Sequence, residues 1–250
     1  MSTMVSRSPV IEELYRVFSP YRVGNEISGC SHCVPADQSH FLATTPRAEL
    51  SADDLDKYAF KAMTTWGNEA DFKYFLPRLL ELVLTEGINA FNFPEVLFGK
   101  LEYARWFEWP TAERCAIESY LRAFWRAQIE CEPTEQEGFA IDSALCALAN
   151  ACRSVDEYLT TWTQSKSPNA VRQLAQFVWF HADRILTKNH PFIGHWDGRP
   201  AADEVLVWLK SEEVAKFLQQ GAALTDHLQY VPGQLDAIRA ANQNVQTRRT

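Results

Sequence analysis

The sequence predicts an all-α protein, built either as stacked helical hairpins in the manner of a HEAT-like solenoid or as an irregular helical bundle. Apolar residues recur at three- and four-residue offsets along most of the chain, which is the signature of a helix with one buried face. No run alternates with period two for long enough to form a strand. Prolines and small polar residues stand where helices are expected to begin.

A helix is expected over Ser51–Trp66, with Leu55, Ala59, Ala62, Met63 and Trp66 on one stripe and Ser51 and Asp54 as a capping-box analogue. Gly67 separates it from a second stripe of Phe72, Phe75, Leu76, Leu79, Leu80 and Val83, which Pro77 is expected to kink or split for want of an N–H. Pro94, Pro110 and Pro168 mark further starts and Ser154 caps another. The stripes that follow are Leu97/Leu101/Ala104, Ile117/Leu121/Phe124/Ile129, Ile141/Leu145/Leu148/Cys152, Val155/Leu159/Trp162 and Val171/Leu174/Val178/Ala182/Ile185. Val205–Lys210 and Val214–Leu224 add two more, and the polar run from Asn242 to Thr250 is expected to fray.

Taken from Ser51, Glu69, Pro94, Pro110, Phe139 and Ser154, alternate starts fall 43, 41, 45 and 44 residues apart. That spacing lies within the period of two-helix solenoid repeats. Residue identities recur faintly, as Thr64-Thr65-Trp66 and Thr160-Thr161-Trp162. The expected organisation is a segment over 1–50 packed on the body, a helical domain over 51–241 and a tail over 242–250.

With 250 residues, 46% of them hydrophobic, the chain has enough apolar material for a sizeable core, so disorder as the main state is excluded. It carries 24 Lys+Arg against 32 Asp+Glu, a formal charge of −8, with no dense basic block. This balance argues against nucleic acid, whose binding draws on many phosphate contacts, and favours basic proteins as partners. No apolar h-region follows Arg7 and no stretch approaches a membrane span, so the reading is cytoplasmic. Six spread cysteines suit reduced thiols better than a disulfide scaffold.

The strongest local chemical signal is Cys30-Ser31-His32-Cys33, with His40 seven residues beyond. Two thiolates at this spacing can hold one Zn²⁺, and a tetrahedral site then needs two more ligands. His40 could be the third; His190, His195 or Cys131 would have to come from far along the chain, and His32 is badly placed to join both of its flanking cysteines. A redox dithiol is a further reading, although no βαβ pattern surrounds the motif. An inert structural turn is the third. No cofactor is required by the sequence, and zinc is the candidate if one is bound.

Residues 189–200 form an aromatic connection whose His190, His195 and Asp197 could act as ligands or as acid and base, and whose Trp196 could anchor a partner; turn residues and packed aromatics explain it equally. The acidic run Asp53-Asp54-Leu55-Asp56 fits the first turn of a helix, where carboxylates complement the dipole. His181 lies in an aromatic helical stretch and reads as packed. No Ser/His/Asp order, glycine-rich phosphate loop or H-E-x-x-H is present, which turns the expectation away from an enzyme. In Tyr103-Ala104-Arg105-Trp106-Phe107-Glu108-Trp109 the aromatics would circle a helix, leaving one or two exposed beside Arg105 as interface anchors.

The stretch Tyr58-Ala59-Phe60-Lys61-Ala62-Met63-Thr64-Thr65-Trp66-Gly67, continued by Asp71-Phe72-Lys73-Tyr74-Phe75-Leu76-Pro77-Arg78, resembles the signature of a family of uncharacterised bacterial helical proteins that also carry an upstream C-x-x-C. The resemblance covers about the first half of the chain and implies a bacterial cytosolic protein, with no activity attached. Lys61, Asp71 and Arg78 could form an ion-pair network around the Trp66 turn. The functional expectation is a non-enzymatic helical protein that binds another protein, an immunity protein or antitoxin that neutralises a toxin encoded nearby. Trp66, Asp71, Arg78, Arg105, Trp106, Trp109, His195 and Trp196 are its candidate binding residues. The alternative is a zinc-binding regulator or metal-dependent enzyme built on Cys30, Cys33 and His40.

Overall fold

The computed structural model describes residues 7–133, 140–188, 194–196 and 199–221, with Gly233 and Asp236 beyond them. Among these, eleven α-helices account for almost all regular structure: α1 (Pro9–Val17), α2 (Ala36–Thr44), α3 (Ala52–Lys61), α4 (Glu69–Glu86), α5 (Pro94–Tyr103), α6 (Thr111–Glu130), α7 (Ala140–Ala151), α8 (Asp156–Gln164), α9 (Pro168–Lys188), α10 (Pro200–Leu209) and α11 (Glu212–Gly221). The only β-type pairings among the described residues are isolated bridges, Gly29 with Trp66 and Ala62 with Trp66. The protein is all-α, and none of these helices is long and apolar enough to cross a membrane. The tail over 242–250 lies outside the described residues.

Helix boundaries follow local chemistry. Ser51 accepts from the Asp54 amide while the Asp54 carboxylate takes the Ser51 amide, a complete capping box for α3. A second box, Asn68 with Asp71, starts α4. That helix runs unbroken through Pro77 rather than splitting there. Pro77 is buried between Leu76 and Leu79, and this burial holds the segment helical although the Lys73 carbonyl loses its intrahelical donor.

The chain divides into two compact units, Met1–Phe124 and Trp125–Thr250. In the first, α4 is the central rod: Phe72, Phe75, Leu76, Leu79, Leu80 and Val83 are all buried. The segment before α3 packs on it, and Arg7 and Tyr15 both reach Glu81, at 2.6 and 2.7 Å. Tyr120 of α6 donates to the Leu80 carbonyl at 2.9 Å. In the second unit, Trp162 of α8 is the hub; its ring lies 5.1 Å from that of Trp125, 5.7 Å from Phe177 and 5.4 Å from Trp208. The two Thr-Thr-Trp triplets are therefore structurally unlike. Thr64-Thr65-Trp66 forms a turn after α3, whereas Thr160-Thr161-Trp162 lies within α8.

Candidate functional site

The site is built where residues 27–34 lie against the turn between α3 and α4. The peptide around Trp66 folds back on Lys61, whose carbonyl accepts from the amides of Thr64, Thr65 and Trp66 at 3.1–3.2 Å. Met63 closes this turn in the left-handed region, at φ 62°, which is uncommon for a side chain other than glycine. Gly67 follows at φ 71° and donates to the Ser28 carbonyl at 2.7 Å, and the Cys30 amide donates to the Thr65 carbonyl at 2.9 Å. The two backbones come so close that a Cβ on Gly29 would stand 3.2 Å from the Thr65 oxygen. Glycine is required there by approach, and at Gly67 by conformation.

On this support Cys30 to Val34 make a tight turn, the amides of Cys33 and Val34 both donating to the Cys30 carbonyl at 2.9 Å. Both cysteines are exposed, and no two of the six cysteines are joined. The polar N–H groups of His32 and Cys33 and the neighbouring Cys33 thiol lower the Cys30 pKa, and the Lys61 ammonium adds to the effect. The neighbouring Cys30 in turn raises the Cys33 pKa. Lys61 also donates to the Cys33 carbonyl, tying α3 to the turn. The arrangement places two solvent-exposed thiols in one turn, that of Cys30 the more readily ionised.

His40 does not complete a metal site with them. Its Nδ1 lies 3.3 Å from the Asn25 carbonyl oxygen, and no group of three or more His, Cys, Asp or Glu placed to hold a metal occurs among the described residues. Cys30 and Cys33 thus supply two sulfur donors of the four that tetrahedral zinc takes. His190 and Asp197 lie outside the described residues; His195 is exposed, and its carbonyl accepts from Asn150 at 3.1 Å.

Four candidate anchors face inward. Trp66, Trp106, Trp109 and Trp196 are buried. Trp66 packs edge-on to Tyr58 at 5.5 Å, Trp109 lies under the Lys73 ammonium at 4.1 Å, and the Trp196 indole reaches Asp142 at 3.3 Å. The 103–109 segment is not one helix. Helix α5 ends at Tyr103, Arg105 turns into the left-handed region at φ 49°, and a short 3-10 turn folds Trp106 inward, leaving Tyr103 and Arg105 outside. Nor do Lys61, Asp71 and Arg78 form a network together. Asp71 caps α4, Arg78 binds the Leu50 carbonyl and Glu81, and Lys61 serves the cysteine turn.

Besides Tyr103 and Phe41, the first unit exposes a pair of aromatic rings in contact. Phe60 of α3 and Phe93, just before α5, are 47% and 49% exposed with ring centroids 5.3 Å apart. Asp56, one turn before Phe60, takes the Asn92 amide at 2.9 Å and its side-chain nitrogen at 2.7 Å, which fixes Phe93 beside Phe60. Asp56 thus stands at the ledge as a carboxylate, and the exposed Lys57 lies three residues before Phe60 on α3. Sequence periodicity placed Phe60 off the buried stripe of α3; nothing in the sequence pairs it with Phe93, which needs the Asp56–Asn92 contact across 36 residues. A second feature invisible in the sequence is an open cleft of about 410 Å³ lined by Arg7, Tyr15, Arg22, Arg47 and Tyr74, among others. There Arg47 stands 5.0 Å from both tyrosine rings and donates to the Tyr74 carbonyl at 2.7 Å, stapling the chain before α3 to α4.

Comparison with protein-family models, with curated proteins and with solved structures finds no match to this chain.

Proposed function

We propose that the protein works by binding another protein through the Phe60–Phe93 ledge, and that its partner is a basic protein encoded nearby, a toxin that it neutralises as an immunity protein or antitoxin would. The observation that supports this reading is the ledge itself: two half-exposed aromatic rings, held together by a dedicated Asp56–Asn92 contact. Solvated aromatics gain most when a partner's pocket removes them from water. The net charge of −8 adds complementarity to a basic partner and raises the rate of encounter. A bacterial setting comes from the resemblance of the 58–78 stretch alone.

The test is native mass spectrometry of the protein co-expressed with the product of the adjacent gene. The expected result is a stoichiometric complex whose affinity falls at least tenfold, about 1.4 kcal/mol, in the Phe60→Ser or Phe93→Ser variant. Both side chains are half in solvent, so the fold tolerates the change. No complex with the neighbour, or a complex indifferent to both substitutions, counts against the reading.

A further inference from the structure

We propose that Cys30 and Cys33 form a dithiol that exchanges with disulfide substrates, Cys30 attacking and Cys33 resolving. The inference stands apart from the partner-binding reading, because it uses different residues and a covalent step.

Geometry carries it. The two cysteines share one tight turn, in which the Cys33 amide donates to the Cys30 carbonyl at 2.9 Å, so the second thiol is carried beside any disulfide formed at the first. Both are exposed, so a substrate can reach them. The turn is anchored through the Cys30 amide to Thr65 and through Lys61 to Cys33 on the same side, which keeps the pair in register. The Lys61 ammonium, which donates to the Cys33 carbonyl, stands beside the turn and favours negative charge there, the attacking form of a thiol. A closed zinc site would bring two further ligands to the sulfurs, and no group of three or more His, Cys, Asp or Glu placed to hold a metal occurs among the described residues.

The step balances without a further reagent. The Cys30 thiolate attacks one sulfur of a substrate disulfide; a Cys30–substrate S–S bond forms, the substrate S–S bond breaks, and a thiolate leaves and is protonated by solvent. Cys33 then gives up its proton and attacks the Cys30 sulfur. The mixed disulfide breaks, the second substrate thiolate leaves and takes up a proton, and Cys30–Cys33 becomes the disulfide. Two electrons pass to the substrate, which ends as two thiols. The co-reactant is a small or protein disulfide with an exposed sulfur.

The probe is oxidised glutathione, added to the full-length reduced protein at neutral pH, with the products mapped by peptide mass spectrometry. The expected product is a loss of about 2 Da confined to the peptide holding Cys30 and Cys33, formed at least ~10-fold faster than any glutathione adduct on the exposed Cys115. The Cys33→Ser variant is expected to stop at a stable one-to-one glutathione adduct on Cys30. The Cys30→Ser variant is expected to leave Cys33 no faster than Cys115. Both positions are exposed, and the unmodified protein alone supplies the decisive rate comparison. Equal rates at Cys30 and Cys115 would overturn the proposal. So would a persistent glutathione adduct on Cys30 of the unmodified chain, or a stoichiometric Zn²⁺ that both thiols retain and that blocks exchange.

Discussion

Glu81 shows how much depends on a single carboxylate. It receives Arg7 at 2.6 Å, Tyr15 at 2.7 Å and Arg78 at 2.8 Å, and so joins the residues before α1, α1 itself and the middle of α4. Burial raises its pKa, but hydrogen bonds from Arg7, Tyr15 and Arg78 outweigh burial, and the net shift is downward from 4.5. A group whose folded pKa is depressed stabilises the fold fully above its ordinary value and loses that contribution as pH falls through the folded value. Glu81→Gln is therefore expected to lower stability by roughly 2 kcal/mol at pH 7, the scale of hydrogen bonds to a charged group, and to flatten the acid limb of the curve below about pH 4.5. Urea denaturation at several pH values measures both. A parallel offset at every pH would show that Glu81 acts by shape alone. Tyr58 presents the opposite case. Its hydroxyl is buried with no hydrogen-bond partner among the described residues, while its ring packs on Trp66 and Phe75 at 5.5 and 4.7 Å. Tyr58→Phe keeps that packing and removes an unsatisfied donor, so stability is expected to hold or to rise by about 1 kcal/mol. A loss of that size in thermal melting would contradict the account.

At the scale of elements, the connection between α3 and α4 does more than reverse the chain. It ends one helix, starts the next with the Asn68–Asp71 box, and presents Thr65 and Gly67 to the backbone of residues 28–30. A Cβ at Gly67 would meet Asp71 at 3.0–3.1 Å and Ile27 at 3.1 Å, at a positive φ. Gly67→Ala is expected to cost about 1–3 kcal/mol and to slow the exchange at Cys30, since the strained turn can no longer hold Ser28. A variant that loses stability while Cys30 reacts unchanged would separate the turn from the site. This element also marks the limit of what the sequence displays. Ser51, Asp54, Pro94, Pro110 and Pro168 announce their helices because capping and the missing proline donor act within a few residues. These starts were legible for that reason, whereas those of α1 and α2, where no side chain caps the first turn, were not. The end of α5 was not, since Arg105 entering the left-handed region leaves no composition signal. The split allowed for at Pro77 does not occur for the converse reason, as tertiary burial overrides a local breaker.

At the scale of the molecule, the charge and the all-α class were legible, and the surface was not. Aromatic enrichment says that some rings are exposed without saying which; Trp66, Trp106, Trp109 and Trp196 are buried, while Phe60, Phe93 and Tyr103 face solvent. Likewise, the sequence presents a C-x-x-C but does not reveal that Lys61 of α3 adjoins it. The acidic balance bears on the complex expected with a basic partner. Its association rate should fall as salt rises from about 0.05 to 0.5 M, because the Debye length shrinks to a few ångströms, whereas dissociation, governed by buried aromatics, should change little. Stopped-flow kinetics on the co-purified complex would show this, and a salt-independent association rate would remove charge from the explanation.

The anchoring of Cys30 to Thr65 has a consequence for the chain while it is being made. Translation proceeds from the N-terminus, so the cysteine turn is synthesised some thirty residues before Lys61 and the Trp66 turn that support it, an interval of roughly two to seven seconds at ~5–20 residues per second. Until then the two sulfurs lack both the ammonium and the backbone clamp. Their full reactivity is acquired only when α3 has docked, so labelling of Cys30 in ribosome-bound chains of increasing length would time the closure of the first unit.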